Sequence, residues 1–443
     1  MWTKLTDVAR LETGHTPSRR HPEYWEGEVP WIGIRDATAN HGNILKSTNQ
    51  YTNDLGIANS SARILPEHTV CLSRTASVGY VVVMGKPMAT SQDFVNWVCD
   101  PAKLDYQFLK YLLLSENRSF LRFASGTTHQ TIYFPEVKAF HVCLPSVSEQ
   151  KAIAHILGTL DDKIELNRQM NATLEAMAQA LFKSWFVDFD PVIDNALAAG
   201  HPIPEPLHAR AEARKALGGK RKPLPEAMQK QFPSHFVFNE EMGWVPEGWT
   251  ESTVGHEFEV TMGQSPPGDT YNETGDGLPF FQGRADFGFR YPSNRVYCTS
   301  PKRLASKGDA LVSVRAPVGD VNMAAQDCCI GRGVSASRHK SDSRSYTYYS
   351  MHQLREHFKV YEAEGTVFGS INQKDFKALP QLCIPTEVVH TFDDYAGSFD
   401  GKIELNSEAI CDLTNLRNTL LPKLLSGQLR IPDAERLIEE ASC

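Results

Sequence analysis

Asp161-Asp162-Lys163-Ile164-Glu165-Leu166-Asn167 returns 239 residues later as Asp400-Gly401-Lys402-Ile403-Glu404-Leu405-Asn406, with six of the seven positions identical. A match of that length within one chain marks an internal duplication, and it orders the reading of the rest. The same offset carries Leu174 to Leu413 and Leu181 to Leu420, and upstream it carries Gly126-Thr127 to Gly365-Thr366, Ile132 to Ile371 and Lys138 to Lys377. Further toward the N-terminus the offset becomes 240 (Val78-Gly79 to Val318-Gly319) and then 249 (Gly14 to Gly263, Pro17 to Pro266, Pro30 to Pro279, Arg35 to Arg284). The chain is therefore written twice, each copy a head followed by the motif.

Around the first motif, Leu157, Leu160, Ile164, Asn167, Asn171, Leu174, Ala178, Leu181 and Trp185 recur at alternating spacings of three and four. That spacing is the seam of a coiled coil. Pro145 followed by Ser146-x-x-Glu149 is a capping box, and Asp188-Phe189-Asp190-Pro191 is a stop. The helix so bounded, about 40 residues long, would span roughly 60 Å. Around the second motif the seam reads Phe399, Ile403, Asn406, Ile410, Leu413, Leu420 and Leu424; Arg417 interrupts it, and Pro422 should kink or end the helix. Asn167 and Asn406 hold equivalent seam positions, where a polar residue costs stability but fixes register and partner. Two repeated helices of this length are expected to pair with each other, most simply antiparallel, rather than each packing only on its own head.

The expected fold is α+β: two pseudo-repeated globular domains, each followed by a long helix, the two helices forming an antiparallel coiled coil. The divisions are a first domain over 1–147, a central helix over 148–190, a linker over 191–247, a second domain over 248–385, a distal helix over 386–431 and a tail over 432–443. The heads read as strand-rich and irregular, with apolar runs such as Val78–Met84 and Ala310–Val314 broken by Gly and Pro, and helix near Asp105–Phe123 and Tyr346–Tyr361. Residues 191–247 are rich in Pro and Ala and carry the basic run Lys220-Arg221-Lys222, read as solvated linker charge.

Net charge is −8, which weighs against a nucleic-acid binder, but the acid is unevenly placed. Residues 1–147 hold 14 basic against 13 acidic side chains and residues 248–385 hold 15 against 15; residues 148–190 hold 4 against 7 and 386–443 hold 5 against 11. The heads are neutral and the helices acidic, so local basic faces on the heads remain open. The nine scattered cysteines form no C-x-x-C pair, which points to a reducing cytoplasm and to no metal site. No apolar run is long enough for a membrane span.

Catalytic signatures are missing. There is no phosphate-cradling G-x-x-x-x-G-K-[ST], no G-x-G-x-x-G, no His-Glu-x-x-His, no G-x-S-x-G, and no Asn/Asp-Pro-Pro-Tyr/Phe of amino-group methylation; Ser265-Pro266-Pro267-Gly268 lacks the residue that motif needs before its prolines. Duplicated domains without a duplicated catalytic pair read as two recognition heads.

Leu144-Pro145…Glu149-Gln150-x-x-Ile153, followed by Leu160-Asp161-x-Lys163-Ile164-Glu165-Leu166-Asn167, resembles the central repeat of the specificity subunits of type I restriction–modification enzymes, and Leu421-Pro422-Lys423-Leu424-Leu425-Ser426-Gly427 resembles their distal repeat. The second copy departs from the pattern: Thr386-Glu387-Val388-Val389 stands where the Glu-Gln pair is expected. The resemblance implies two target recognition domains on double-stranded DNA, each reading one half of a split asymmetric target, with the helices setting the spacer. It implies docking of two methylation subunits, which would bind S-adenosylmethionine, and of restriction and translocation subunits; this chain would hold no cofactor and no catalytic residue. Two other readings stay open, a two-headed protein scaffold and a stand-alone DNA-modifying enzyme. Binding of S-adenosylmethionine by the isolated chain would mark the last.

Base edges are read by Arg, Lys, Asn and Gln. The candidates for DNA contact are Arg19, Arg20, Arg35, Arg74, Thr127 and Gln130 in the first head, and Gln282, Arg284, Arg315, Thr366 and Gln373 in the second. Against each arginine stands a bland role, holding the fold through a carboxylate such as Asp36 or Asp286. Arg19-Arg20 and Lys302-Arg303 suit phosphate better than bases. Trp31 and Phe280-Phe281 read as core. Helix pairing is assigned to Leu157, Leu160, Ile164, Asn167, Leu174, Leu181, Phe399, Ile403, Asn406, Leu413 and Leu420.

Overall fold

In a computed structural model the described residues are 2–116, 131–218, 224–363 and 369–440. They form two compact units, Met1–Arg168 with Ser407–Cys443, and Gln169–Asn406. The division falls inside both long helices. Each unit therefore holds one head with a stretch of each helix.

The helices are Val147–Phe186 and Thr386–Leu425, forty residues each and offset by 239 at both ends. The first begins at the expected capping box: the Ser146 N–H donates to Glu149 Oε2 at 3.0 Å, and the Glu149 N–H donates back to Ser146 Oγ at 3.3 Å. It ends one turn before Asp190-Pro191, where Phe189 takes a left-handed φ of 54° and a new helix, Asp190–Ala199, starts with proline in its first turn. The second helix does not break at Pro422 but runs on to Leu425. A proline this close to the end removes one hydrogen bond of a turn that is already fraying.

Strand pairing repeats the duplication residue by residue. In the first unit Ala9 faces Cys99, Val70 faces Trp97, and Trp31 lies parallel to Ala89. In the second, Phe258 faces His339, Ala310 faces Ser337, and Phe280 lies parallel to Cys329. The offset is 249 up to residue 35 and 240 over residues 70–99; the first head is longer by that difference within this stretch. Its main sheet runs Ala9–Thr13, Phe94–Cys99, Val70–Ser73, Val81–Met84, Ile44–Leu45. The matching sheet of the second unit runs Phe258–Met262, Val334–His339, Ala310–Ser313, Val321–Met323. Val81–Met84 and Ala310–Ser313 are buried at all four positions, as continuous apolar runs demand. Gly14 and Gly263 are equivalent for a packing reason: a Cβ would lie 2.1 Å from Ser91 O at the first and 2.2 Å from Gly331 O at the second.

In the first unit Leu157, Leu160 and Ile164 share a core with Leu413, Leu420 and Leu424 and with the head residues Trp97 and Phe108. In the second, Phe182, Trp185 and Phe186 meet Phe392, Tyr346 and Trp249 in an aromatic core. Within that unit Asn171 faces Asn406 and Phe182 faces Phe392, so one helix climbs as the other descends and the pairing is antiparallel. Of the seam residues, Asn167, Leu174, Leu181, Phe399 and Ile410 are half-buried. The buried amide opposite Asn406 is that of Asn171, at 2.8 Å, and not a second motif asparagine. Antiparallel chains bring unlike positions of a repeat face to face, which sequence equivalence does not foresee.

Two stretches expected as linker and tail carry regular structure. Residues 191–247 hold the helix His208–Leu217, whose Arg210 and Arg214, one turn apart, grip Asp190 and Asp194, also one turn apart. They also hold a hairpin of Phe236–Asn239 with Gly243–Pro246, and their Val192, Met228 and Phe232 enter the second unit's core. Alanine favours helix as readily as it marks a linker, and proline is welcome in first turns. Lys220-Arg221-Lys222 lies outside the described residues. The tail likewise contains a helix, Ile431–Glu440, with Ala434 buried in the first unit's core.

Candidate nucleic-acid interface

In the first unit, Val29–Ile32 and Ala89–Thr90 run parallel, so the residues after both leave the sheet at the same edge. The Ser91 N–H donates to Ile32 O at 3.0 Å, the His15 N–H to Thr90 O at 2.9 Å, and the Arg74 N–H to Asp93 O at 2.8 Å. Residues 14–16, 33–36, 74 and 91–93 thereby form one loop cluster. The second unit repeats it: the Gly331 N–H donates to Phe281 O at 2.9 Å, Gly333 to Gln282 O at 3.1 Å, Gly263 to Val334 O at 3.0 Å, and Val314 to Gly333 O at 2.9 Å. Loops held by a rigid sheet edge are where binding side chains are usually carried.

Arg35 is exposed on the short helix Ile34–Ala39. The carboxylate that offered it a bland partner is engaged elsewhere: Asp36 accepts from the Gly33 N–H at 2.9 Å and from both the backbone and side-chain N–H of Asn49 at 2.8 Å. Arg284 begins the matching turn Arg284–Asp286 and pairs with Asp320 at 2.9 Å, while Asp286 pairs with Arg295 at 3.0 Å. Arg19 Cζ lies over the Trp25 ring, 3.6 Å from its centre and 5.1 Å from that of Trp31, and Arg19 donates to Gln50 Oε1 at 2.7 Å. Partial burial lowers its pKa from the ordinary value. Arg20 is exposed beside it. Gln282 and Arg315 are exposed on the second cluster, and Gln373 is exposed in the first turn of the helix Gln373–Ala378.

Arg74 is different. It is half-buried over the Phe134 ring at 4.7 Å, and its Nε is buried with no hydrogen-bond partner among the described residues. Its place in the second head is taken by Val314 rather than by Arg315, because Ile132 donates to Arg74 O as Ile371 donates to Val314 O. Thr127, Gln130 and Thr366 lie outside the described residues. Trp31, Phe280 and Phe281 are buried, and Lys302 and Arg303 are exposed. The sequence reading missed Gln92 and Arg332, both exposed near the centre of their clusters and related by the offset of 240. Thr16 Oγ1 donates to Gln92 Oε1 at 2.5 Å, and the Arg332 N–H donates to Ser265 Oγ at 3.4 Å. Residue identity does not mark this pair, which is equivalent without being identical.

The repeated motif has a structural task in both units. Asp161 accepts from the Tyr111 hydroxyl at 2.6 Å, from Lys110 Nζ at 3.2 Å and from Arg417 Nη1 at 2.7 Å, so the arginine that interrupts the seam is bound across it. Burial works against charge there, but Lys110, Tyr111 and Arg417 outweigh it and hold the Asp161 carboxyl below the usual range. Asp400 accepts from the Tyr349 hydroxyl at 2.9 Å and from Arg290 Nη2 at 2.8 Å; the same arginine reaches Glu175 and stacks on Tyr348 at 3.9 Å. The departure at Thr386–Val389 is made good locally. Gln150 receives the Asp105 N–H at 2.9 Å and donates to Lys103 O at 3.1 Å in the first unit, whereas in the second Val389 is buried and Asp393 receives Ser343 Oγ at 2.6 Å and the Ser345 N–H at 3.0 Å.

Residues 1–176 match the family model described as the type I restriction modification DNA specificity domain. The chain is 25% identical to the type I restriction enzyme MjaIX specificity subunit of Methanocaldococcus jannaschii, over 97% of this chain and 93% of that one. It is 29% identical to the HindI specificity subunit of Haemophilus influenzae, over 73% and 77% respectively. The crystal structure of a type I restriction–modification S subunit from M. genitalium shares the fold, with a TM-score of 0.55 at 17% identity, over 96% of this chain and 95% of that one. Over most of its length this chain is therefore similar to the specificity subunits of type I restriction–modification enzymes, and its first 176 residues match the model of their DNA specificity domain.

Proposed function

We propose that each loop cluster reads one half of a split DNA target and that the paired helices set the unspecified spacer between the halves. One observation carries this reading: the same edge of the same fold is presented twice with different side chains. Arg35 and Arg284 are equivalent, while Gln92 is matched by Arg332 and Arg74 by Val314, so the two half-sites should differ in sequence. Arginine and glutamine suit bidentate recognition of guanine and adenine edges, and the flanking exposed arginines suit phosphate. The chain would read DNA and leave the chemistry to partners: two methylation subunits holding S-adenosylmethionine and methylating adenine, and subunits that translocate and cut. All of this would take place in the cytoplasm; no helix among the described residues is long and apolar enough to cross a membrane.

The test is genome-wide mapping of methylated adenine in cells expressing this chain with its methylation subunit. A split motif with unlike halves is the expected result. Exchanging residues 1–147 for the corresponding head of another specificity subunit should then change one half only. No motif from a demonstrably assembled complex would overturn the reading and favour a protein scaffold.

A further inference from the structure

Each head is fastened to its stretch of helix by polar contacts at more than one level. In the first unit they include Gln150, at the start of the long helix, and Asp161, three turns on; in the second they include Asp393 and Asp400, two turns apart, with His390 against Ser341 O, and Glu404 paired with Lys307, beside them. One polar contact acts as a hinge, but two along a helix fix an angle. The apolar contacts between them are non-directional and tolerate sliding, whereas hydrogen bonds are directional and hold only near one geometry. The outer fastenings differ between the units, whereas the inner ones share a common core, although the guanidinium comes from the other long helix at Asp161 and from the head at Asp400. Both are the first aspartate of the repeated motif, both receive a tyrosine hydroxyl from a head helix, and both receive a guanidinium. Tyr111 lies on Tyr106–Ser115 and Tyr349 on Arg344–Gln353, so each tyrosine ties the head itself to the rod.

We propose that Asp161 and Asp400 are positioning residues for DNA reading: each sets the angle at which its head is carried, and through it the spacer length the subunit accepts. The inference rests on the recognition reading above. It refines that reading: the loop clusters keep base identity and the helices the span, while the pins fix the angle at which each head is carried on that span.

The experiment compares Asp161→Asn, Asp400→Asn and the milder Tyr111→Phe and Tyr349→Phe, each in the assembled complex, by methylated-adenine mapping with subunit levels checked. The expected result is methylation at sites whose spacer is one base pair longer or shorter, raised about tenfold over wild type, on the scale of one mismatched base pair, with both half-site sequences unchanged. Lower methylation at an unchanged spacer in all four variants would overturn the proposal and leave the pins with a purely stabilising role. If the asparagine variants fail to assemble, the phenylalanine variants decide on the same criterion. A wild-type complex that yields no split motif would bring down the recognition reading, and this inference with it, and is distinguishable from a wild-type motif that no pin variant shifts.

Discussion

Arg290→Met is the most exacting test of the second unit. The Arg290 side chain is wholly buried and lies between two carboxylates on different helices, Glu175 and Asp400. Burial opposes its charge, but Tyr348, Asp400, Tyr349 and Glu175 outweigh that and raise its pKa above the ordinary value. Burial in turn raises the Glu175 carboxyl in spite of Arg290. Methionine keeps much of the volume and removes the charge, leaving two buried carboxylates facing each other. Breaking a buried pair costs about 3–5 kcal/mol. The cost has a ceiling, because one carboxyl can escape by taking up a proton; at pH 7 that costs about 4 kcal/mol for a glutamate of ordinary pKa. The loss should therefore be about 4 kcal/mol, or a fall of about 10 °C in melting temperature for a unit of this size. The sign with pH follows. In the variant the folded-state carboxyl pKa lies above its unfolded value, so the folded state binds the extra proton and the deficit shrinks as pH falls, by about 1.4 kcal/mol per unit between pH 7 and 5. Thermal and urea denaturation at pH 7.5, 6.5 and 5.5 would measure this, with Arg290→Met/Glu175→Gln/Asp400→Asn recovering most of the stability. A single variant within about 1 kcal/mol of wild type and showing no pH trend would refute the reasoning.

Four further outcomes follow from the same packing. Asn406→Leu should cost about 1–3 kcal/mol by depriving Asn171 of its 2.8 Å partner, and Asn171→Leu/Asn406→Leu should cost less than the sum of the single changes in urea denaturation. Buried His339 and half-buried His352 are pushed down to about 4 by desolvation, which at His339 outweighs Glu257, so the folded state resists protonation that the unfolded chain accepts. Stability should then fall as pH drops from about 7 to 5, by about 2 kcal/mol per imidazole, and His339→Gln/His352→Gln should flatten the melting temperature across that range. Gly14→Ala should destabilise the first unit by about 1–3 kcal/mol in thermal melting, whereas Gly158→Ala, with no atom nearer than 3.7 Å, should be tolerated. If Arg35 and Arg284 touch phosphate, alanine at either should lower the slope of log affinity against log salt by about 1 for the assembled complex; if they read bases, the slope should hold and one half-site should relax.

The sequence by itself determined what is encoded within a few turns or by repetition. The capping box at Ser146, the seam through Leu157, Leu160 and Ile164, and the equal helices around the two motifs depend on local hydrogen bonds and on period, and these are legible in order along the chain. The duplication was legible because it recurs at fixed offsets, and it located the loop clusters through Arg35, Arg284 and the paired glycines. Partnership was not legible. Arg417 with Asp161, Arg290 with Glu175 and Asp400, Asn171 with Asn406, and Arg284 with Asp320 join residues between 36 and 256 positions apart. No local rule selects among the many carboxylates and amides at such range. Only the antiparallel closure of the helices and the seating of each head decide which charge meets which, and therefore which arginines are left facing outward.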